Sequence, residues 1–194
     1  MRKLIVSTYM TRDGVMSLDG DMAQKWHFPF FNDELAKYAY DQLFAADALL
    51  LGRRTYDVFA ASWPWVTDEQ GFADRMNHLP KYVVSTTLAT ADWTNTTIIR
   101  DQVPDAVATL KQQPGQDILL YGSAMLMHTL MHHGLIDEYR LWLHPVVAGS
   151  GQRLFQDGGA MTLLQRTAIT PFSSGVTILH YQPATEGAEG SSTT

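Results

Sequence analysis

The chain has 194 residues, the usual length of one domain, and 45% of them are apolar, enough to build a buried core. The formal net charge of -6 argues against a nucleic-acid-binding protein, which would carry a basic face. The absence of cysteine excludes disulfides, thiol nucleophiles and thiolate metal sites.

The amino terminus is predicted to begin with a strand at residues 4–6. A signal peptide needs a longer apolar core, and polar Thr11, Arg12 and Asp13 follow too early for one. No uninterrupted apolar stretch approaches the ~20 residues that a membrane helix needs. We therefore expect a soluble, cytoplasmic protein that does not bind membranes.

Strand-like and helix-like segments alternate through the first part of the chain. Apolar, β-branched runs predict strands at residues 4–6, 48–51, 82–84, 97–99 and 118–121. Helical patterns lie at residues 33–45, 55–60, 104–111 and 123–133. This alternation predicts a three-layer α/β fold, with a mostly parallel sheet between helices.

The last third of the chain is predicted to be different. Residues 138–147, 162–170 and 175–181 are strand-like with no long helix between them, so we expect antiparallel strands at one side of the sheet. The sequence PFSSG is a plausible turn between the last two. The final residues, 183–194, are small and polar and predict a disordered tail after a single domain at 1–182.

Two predicted strands end in a glycine that leads directly into a helix. The first glycine is Gly52, followed by Arg53 and Arg54, and the second is Gly122, followed by Ser123. Such turns expose backbone N–H groups at the positive end of a helix dipole, which favours a phosphate. The two arginines suit a ligand with more than one phosphate group.

The arginines also allow a simpler interpretation, in which they pair at the surface with Asp57 or Asp47. A third polar strand end favours the ligand, since Ser85 and Thr86 follow the predicted strand 82–84. Ligands of α/β sheets bind outside the carboxyl ends of parallel strands, so these three strand ends are expected to face one crevice.

The order of these motifs resembles the dihydrofolate reductase fold, and especially the family of the RibD C-terminal domain, the reductase of riboflavin biosynthesis. The matching segments are LIVSTYMTRDGVM, DALLLGRRTYDVFA, KYVVSTTL, ILLYGSAMLMHTLMHHGLIDEYRLWLHPVVAGSGQRLF and the two closing strands, across most of residues 2–181. The most family-specific part is GLIDEYRL followed by HPVVAGSGQRLF. The resemblance implies a dihydrofolate reductase-like fold and an oxidoreductase that uses NADPH.

The resemblance also implies where NADPH would bind. The family's contacts to the pyrophosphate and the adenosine 2′-phosphate match Gly52, Arg53, Arg54 and Thr55, with a second 2′-phosphate contact at Ser85 and Thr86. The loop and helix start beneath the pyrophosphate and nicotinamide ribose match Gly122, Ser123, Ala124 and Met125, and Tyr121 would lie near the nicotinamide. Dihydrofolate reductases join paired glycines here by a cis peptide; with Gly122-Ser123 the cis state is open.

On the substrate side, dihydrofolate reductases carry a carboxylate on the first helix, which Asp33 and Glu34 could supply. The same residues equally fit a helix start capped by Asn32. The segment SLDGDMAQKWHFPFF resembles the family's active-site loop. Its aromatic residues Trp26, His27 and Phe28 either line a pocket for a planar substrate or pack the loop onto the sheet.

A metal site is not predicted. His128 and His132 share one helical face, but no glutamate follows as in a zinc protease, and histidines near a helix end suit the dipole. A serine hydrolase is not predicted either, because the G-x-S-x-G motif is absent.

The apolar strand YRLWLHPVVAG and the Met-rich helix 123–131 bear on assembly. In riboflavin-type relatives this strand often contributes to a dimer at the sheet edge, so the resemblance implies a homodimer. The competing interpretation is an ordinary buried core strand.

The residues together with the resemblance thus imply an NADPH-dependent reductase acting on a small, planar, heterocyclic substrate. Hydride transfer needs neither a metal nor a protein nucleophile, because the cofactor supplies the chemistry. One alternative is a non-catalytic module that binds NADP(H) or another nucleotide, since a fold does not fix an activity. Another is a true pyrimidine or pterin reductase of riboflavin or folate metabolism, similar to the 5-amino-6-(5-phosphoribosylamino)uracil reductase.

Overall fold

The computed structural model describes residues 1–18, 25–155 and 161–184. Its strands are β1 Leu4–Met10, β2 Val15–Ser17, β3 Ala46–Gly52, β4 Lys81–Val84, β5 Thr96–Ile99, β6 Asp117–Tyr121, β7 Glu138–Leu143, β8 Gln152–Arg153, β9 Leu164–Pro171 and β10 Thr177–Pro183. Its helices are α1 Asp33–Phe44, α2 Arg53–Ser62, α3 Phe72–His78, α4 Val103–Gln112 and α5 Ala124–His132, with short 3-10 turns at Phe28–Phe30 and Trp63–Trp65. The chain thus has the alternating α/β order that the sequence predicts.

Eight of these strands form one sheet in the order β5-β4-β3-β6-β1-β7-β10-β9. The six neighbours from β5 to β7 run parallel, and β10 is antiparallel to both β7 and β9. The short strands β2 and β8 pair separately. The predicted mostly parallel sheet with antiparallel carboxyl-terminal strands is confirmed.

The position of β7 corrects one expectation. This strand pairs parallel with β1 and antiparallel with β10, so it lies inside the sheet and not at its edge. Tyr139 and Trp142 are almost fully buried within it. The interpretation of this segment as an ordinary core strand is therefore the correct one, and the homodimer stays a prediction.

The sheet separates two layers of helices because its strands are buried on both faces. Alternate strand residues such as Val6 and Leu120 join the core beneath α4 and α5. The residues between them, such as Ile5 and Leu119, join the core on the opposite face, which α1, α2 and α3 cover. In the part of the chain that the structure describes, no helix is both long and apolar enough to cross a membrane.

Helix α3 was not predicted, because its seven residues, about two turns, are too few to show a clear helical period. The Asp68 carboxylate accepts the N–H groups of Phe72 and Ala73 at its start, at 2.9 and 2.6 Å. At its end the fully buried Lys81 donates from Nζ to backbone carbonyls including that of Leu79, at 2.8 Å. Two charged residues therefore satisfy the backbone groups that so short a helix leaves unpaired.

The chain end is partly described. Gly175 donates its N–H to the Phe172 carbonyl in the predicted turn between β9 and β10. Pro183 pairs opposite Leu164, and Ala184 donates its N–H to the Leu163 carbonyl. The remainder of the predicted tail, 185–194, lies outside the described residues.

Candidate active site

The two glycine turns meet at the carboxyl edge of the sheet. Gly52 ends β3 and precedes α2, while Gly122 and Ser123 connect β6 to α5. Because β3 and β6 are neighbours, with Leu51 opposite Tyr121, the turns lie side by side. The structure therefore brings together two of the predicted strand ends.

The two turns are packed so closely that neither glycine can carry a side chain. A Cβ atom on Gly52 would lie 1.9 Å from the Ser123 Oγ, and one on Gly122 would lie 2.8 Å from the Thr55 Oγ1. Gly122 also has a φ of 59°, which side chains disfavour. Glycine is required here by the contact between the turns.

Both helix starts lack a side-chain cap. Gly52 precedes α2 and Ser123 precedes α5, and neither residue accepts a hydrogen bond from its helix through a side chain. Ser123 has a φ of 65°, so two consecutive residues with positive φ lead into α5, joined by a trans peptide. Uncapped first-turn N–H groups at a positive dipole end are the features that bind phosphate oxygens.

Arg53 and Arg54 lie at the first turn of α2. The Arg53 Nε donates to both carboxylate oxygens of Asp57, at 2.8 and 2.7 Å, and Arg54 is exposed. The pairing with Asp57 that the sequence allowed is confirmed for Arg53, whereas Asp47 pairs with Arg2. Arg53 thus stands beside the glycine turns while bound to a carboxylate.

The third polar strand end is used partly by its own loop. Val84 at the end of β4 is paired with Gly52, which places Ser85 and Thr86 next to the first turn. The buried Ser85 Oγ accepts the N–H groups of Thr87 and Leu88, at 3.2 and 3.0 Å. Thr86 is exposed. Of the two hydroxyls, that of Ser85 shapes the loop and that of Thr86 faces solvent.

Ala124 and Met125 begin α5 and differ in exposure. Ala124 is buried against the core, whereas the Met125 side chain is 74% exposed beside the turn. Tyr121 ends β6 on the face that α1 covers and forms a hydrogen bond with Gln42. Burial raises the pKa of Tyr121 above its ordinary value, so its hydroxyl stays neutral.

A row of polar side chains under α1 was missed by the sequence interpretation. Ser7 lies opposite Tyr121 on one side and Arg140 on the other, and Arg140 lies opposite His180. The Ser7 hydroxyl donates to Gln42 Oε1 at 3.1 Å. A glutamine on the buried stripe of α1 and an arginine inside an apolar strand were the signals that could have revealed this row.

The polar row is itself strongly paired. The Arg140 Nε donates to Glu138 Oε1 at 2.7 Å, and the Tyr38 hydroxyl lies 3.3 Å from the His180 Nε2. The neighbouring His180, whose Nδ1 lies 3.8 Å from the Glu138 Oε1, and the hydrogen bond from Arg140 lower the pKa of Glu138 to about 2. This carboxylate therefore stays charged, and it is committed to its two partners.

An aromatic cluster lies nearer the sheet edge, at the ends of β1 and β7. The His27 ring centroid lies 4.4 Å from that of Tyr9 and 5.7 Å from that of Trp26, and Trp26 lies 5.0 Å from His144. Trp26 is buried, while Phe28 packs edge-on against His27 and is 59% exposed. The structure thus joins the three predicted pocket residues to two strand ends, and Trp26 also packs its loop onto the sheet.

The cluster is electrically neutral near pH 7. Burial and the nearby His144 lower the pKa of His27 to about 4, and burial lowers the pKa of His144. Burial also raises the pKa of Tyr9 to about 12. This part of the edge, where the sequence predicts the substrate pocket, is therefore aromatic and uncharged.

Asp33 and Glu34 are both exposed at the start of α1. Glu34 accepts the N–H and the hydroxyl of Ser173, at 2.9 and 2.8 Å, and these bonds lower the pKa of its carboxyl. Asn32 caps the helix by accepting the Leu35 N–H at 3.1 Å. The capping interpretation is confirmed, and the predicted catalytic role of the two acids gains no support from this geometry.

His128 and His132 are the two histidines that the sequence places on one face of α5, where no metal site was predicted. The His128 Nε2 contacts the Leu154 carbonyl, and His132 contacts the His133 ring. Across residues 1–18, 25–155 and 161–184, no three histidine, aspartate or glutamate side chains are grouped to hold a metal ion.

The chain matches a known protein family over most of its length. The family model described as the RibD C-terminal domain matches residues 2–178. The chain belongs to the RibD C-terminal domain family. Among curated relatives, the uncharacterized protein YyaP of Bacillus subtilis (strain 168) is 37% identical to this RibD C-terminal domain over 144 residues, covering 73% of this chain and 76% of YyaP.

Solved structures share the fold of this RibD C-terminal domain. A putative riboflavin biosynthesis protein from Shewanella sp. PV-4 superposes with a TM-score of 0.75 at 18% identity, over 94% of this chain and 99% of that one. The dihydrofolate reductase of Enterococcus faecalis, solved with NADP(H), superposes with a TM-score of 0.61 at 13% identity, over 93% and 96% of the two chains. The chain has a reductase-type fold.

Proposed function

We propose that this RibD C-terminal domain is an NADPH-dependent reductase that transfers a hydride to a small, planar, heterocyclic substrate. When bound, the nicotinamide supplies the hydride. The protein supplies binding, orientation and a neutral pocket for the ring that accepts it. The family and the reductase-type fold support an oxidoreductase, and the residues at the sheet edge support this cofactor and this class of substrate.

The observation that carries the proposal is the contact between the two glycine turns. With Ser123 packed on Gly52 and Thr55 on Gly122, two uncapped helix starts open at one place on the sheet edge. Arg53 adds a cation beside them. A donor set made of backbone N–H groups and guanidinium groups fits a ligand with several phosphate groups, as a phosphorylated dinucleotide is.

Hydrogen bonds that connect the second glycine turn with β1 support neighbouring positions for the two ligands. Tyr121 stands at the second glycine turn, and its partner Gln42 also binds Ser7, two residues before Tyr9 on β1. The Trp142 Nε1 donates to the same Ser7 hydroxyl at 3.0 Å. A planar ring bound among Tyr9, His27 and Trp26 would thus lie at the end of β1, the strand next to the one that ends at Tyr121.

Thermal-shift titration tests cofactor binding. A ligand that binds the folded state raises Tm by mass action, so we expect NADPH to raise Tm in a dose-dependent manner. NADH, which lacks the 2′-phosphate, should give a smaller increase at equal concentration. No increase with either coenzyme would contradict the proposal.

Turnover separates a reductase from a module that only binds nucleotides. Loss of NADPH absorbance is measured with a panel of pyrimidines, including 5-amino-6-(5-phosphoribosylamino)uracil-type compounds, and of dihydropterins. We expect oxidation of NADPH that depends on one class of substrate. Binding of NADPH without turnover by any planar heterocycle would favour the non-catalytic alternative.

A further inference from the structure

The ion pair on α2 places a carboxylate beside the guanidinium of Arg53, the residue that directly follows the first glycine turn. The Arg53 Nε donates to both oxygens of Asp57, one helical turn further along, at 2.8 and 2.7 Å. The two side chains are 39% and 48% exposed. Within the described residues the terminal nitrogens of Arg53 have no hydrogen-bond partner, so they are the part of the side chain left for a ligand.

We propose that Asp57 sets the coenzyme preference of this protein by weakening its binding of a 2′-phosphate. The inference rests on the proposed function, in which Arg53 binds the phosphate groups of NADPH. A phosphate on the terminal nitrogens of Arg53 and the carboxylate on its Nε share one guanidinium. Two groups of like charge held by one cation repel each other, and this repulsion lowers the affinity for the phosphate.

The surroundings do not compensate for this carboxylate. Arg53 and Asp57 line the same groove of about 500 Å³, and Asp92 lines it as well. Arg54 is the second cation of the α2 start and is exposed. The segments outside the described residues, 19–24, 156–160 and 185–194, contain no lysine, arginine or histidine. Among the residues that line the groove, Arg53 is therefore the one cation beside two aspartates, Asp57 and Asp92, so the groove's described lining carries no net positive charge.

The pyrophosphate is held differently, so Asp57 affects mainly one end of the dinucleotide. The two uncapped helix starts offer backbone N–H groups, which no side-chain pair occupies. NADPH and NADH both carry the pyrophosphate, and only NADPH carries the 2′-phosphate. A carboxylate that acts on the 2′-phosphate must therefore change the ratio of the two affinities.

Two substitutions separate the charge of Asp57 from its role in orienting Arg53. Asp57→Asn removes the charge but keeps an oxygen that accepts from the Arg53 Nε, whereas Asp57→Ala removes both. Asp41→Asn is the matched control, because Lys37 and Asp41 form the same kind of exposed pair on α1, at 2.6 Å. All four full-length proteins, including the wild type, are titrated by calorimetry with NADPH and with NADH.

We expect Asp57→Asn to bind NADPH about threefold to tenfold more tightly, the range for removing one exposed charge near a phosphate dianion. Its affinity for NADH should change less than twofold. The increase in NADPH affinity should be smaller in about 0.5 M salt, because screening weakens repulsion between exposed charges. Asp57→Ala should increase NADPH affinity less than Asp57→Asn does, because it also removes the oxygen that orients Arg53. Asp41→Asn should bind both coenzymes as the wild type does.

Other outcomes have distinct meanings. The proposed role of Asp57 is contradicted if Asp57→Asn binds NADPH no more tightly than the wild type does. It is also contradicted if the affinities for NADPH and NADH increase equally. Either result leaves the reductase proposal intact. A wild-type protein that binds neither coenzyme contradicts both proposals.

Discussion

The two parts of the sheet edge that we propose for the cofactor and for the substrate, called here the cofactor side and the substrate side, are built on different principles. On the cofactor side, Gly52 and Gly122 lie against Ser123 and Thr55, so the proposed phosphate site consists of backbone groups, with the charge of Arg53 beside them. On the substrate side, the residues are aromatic and neutral, and they come from separate segments of the chain. Charge and backbone N–H groups at one end, and uncharged rings at the other, are what a phosphorylated cofactor and a planar substrate require.

The largest expected effect comes from removing the positive charges of the cofactor side. Replacing Arg53 and Arg54 together with alanine should weaken NADPH binding about 100-fold, since each charge-assisted hydrogen bond contributes ~1.5–3 kcal/mol and exposure reduces that. The affinity for NADH should fall by a factor about ten times smaller, because NADH lacks the 2′-phosphate. Calorimetric titration measures both affinities.

Lys37→Ala is the control for that double variant, because it removes an exposed cation from α1. It should leave both affinities unchanged. Equal losses for NADPH and NADH in the double arginine variant would show that the arginines contact only the pyrophosphate.

The second prediction tests whether the cofactor side depends on close contact between the turns. Gly52→Ala would place a Cβ 1.9 Å from the Ser123 Oγ, so we expect a loss of about 1–3 kcal/mol in unfolding free energy. NADPH binding should weaken as well. Chemical denaturation measures the stability loss.

Ser123→Gly supplies the rescue, because it removes the atom that the new methyl group meets. The double variant Gly52→Ala/Ser123→Gly should recover most of the lost stability, which is the non-additivity expected of contacting residues. Simple addition of the two single effects would contradict the packing of the turns.

The third prediction concerns the neutral side. The folded-state pKa of His27 is lowered to about 4 by burial and by His144, below the ordinary value of 6.5. The unfolded chain therefore binds a proton first as the pH falls. Stability should fall between pH 6.5 and pH 4 by about 1–2 kcal/mol, after allowing for partial exposure.

His27→Gln should flatten this part of the pH profile of Tm. His78→Gln, which changes an exposed histidine on α3, should leave the profile as in the wild type. A profile that His27→Gln does not alter would mean that the ring is not buried among the aromatic residues.

The smallest expected effect concerns the carboxylates of α1. Asp33→Asn should change the rate of NADPH oxidation less than twofold, because Asp33 is exposed. Glu34→Gln should lower Tm slightly through its bonds to Ser173, again without a large change in rate. A rate loss of tenfold or more in Asp33→Asn would restore the predicted catalytic role of that residue.

Local patterns explain how much of the fold the sequence could predict. Gly52 and Gly122 each follow an apolar run and precede a helical pattern, so both turns could be located without a structure. The parallel sheet followed from the alternation of elements. The placement of β7 between β1 and β10 depends on pairing between distant segments, which periodicity does not encode.

The substrate side could be predicted less well for the same reason. Trp26 and His27 could be named from their loop, but their neighbours Tyr9 and His144 come from two different strands. The exposed position of Asp33 depends on how α1 is rotated over the sheet. Aromatic residues also pack cores, so their chemistry becomes specific only when their neighbours are known.

The most direct test of the central claim is a crystal structure of the protein soaked with NADP⁺. We predict phosphate density within hydrogen-bond distance of the backbone N–H groups that follow Gly52 and Gly122, with the 2′-phosphate beside Arg53. Density for the dinucleotide elsewhere on the molecule, or none at saturating concentration, would contradict the claim that the paired glycine turns bind the cofactor.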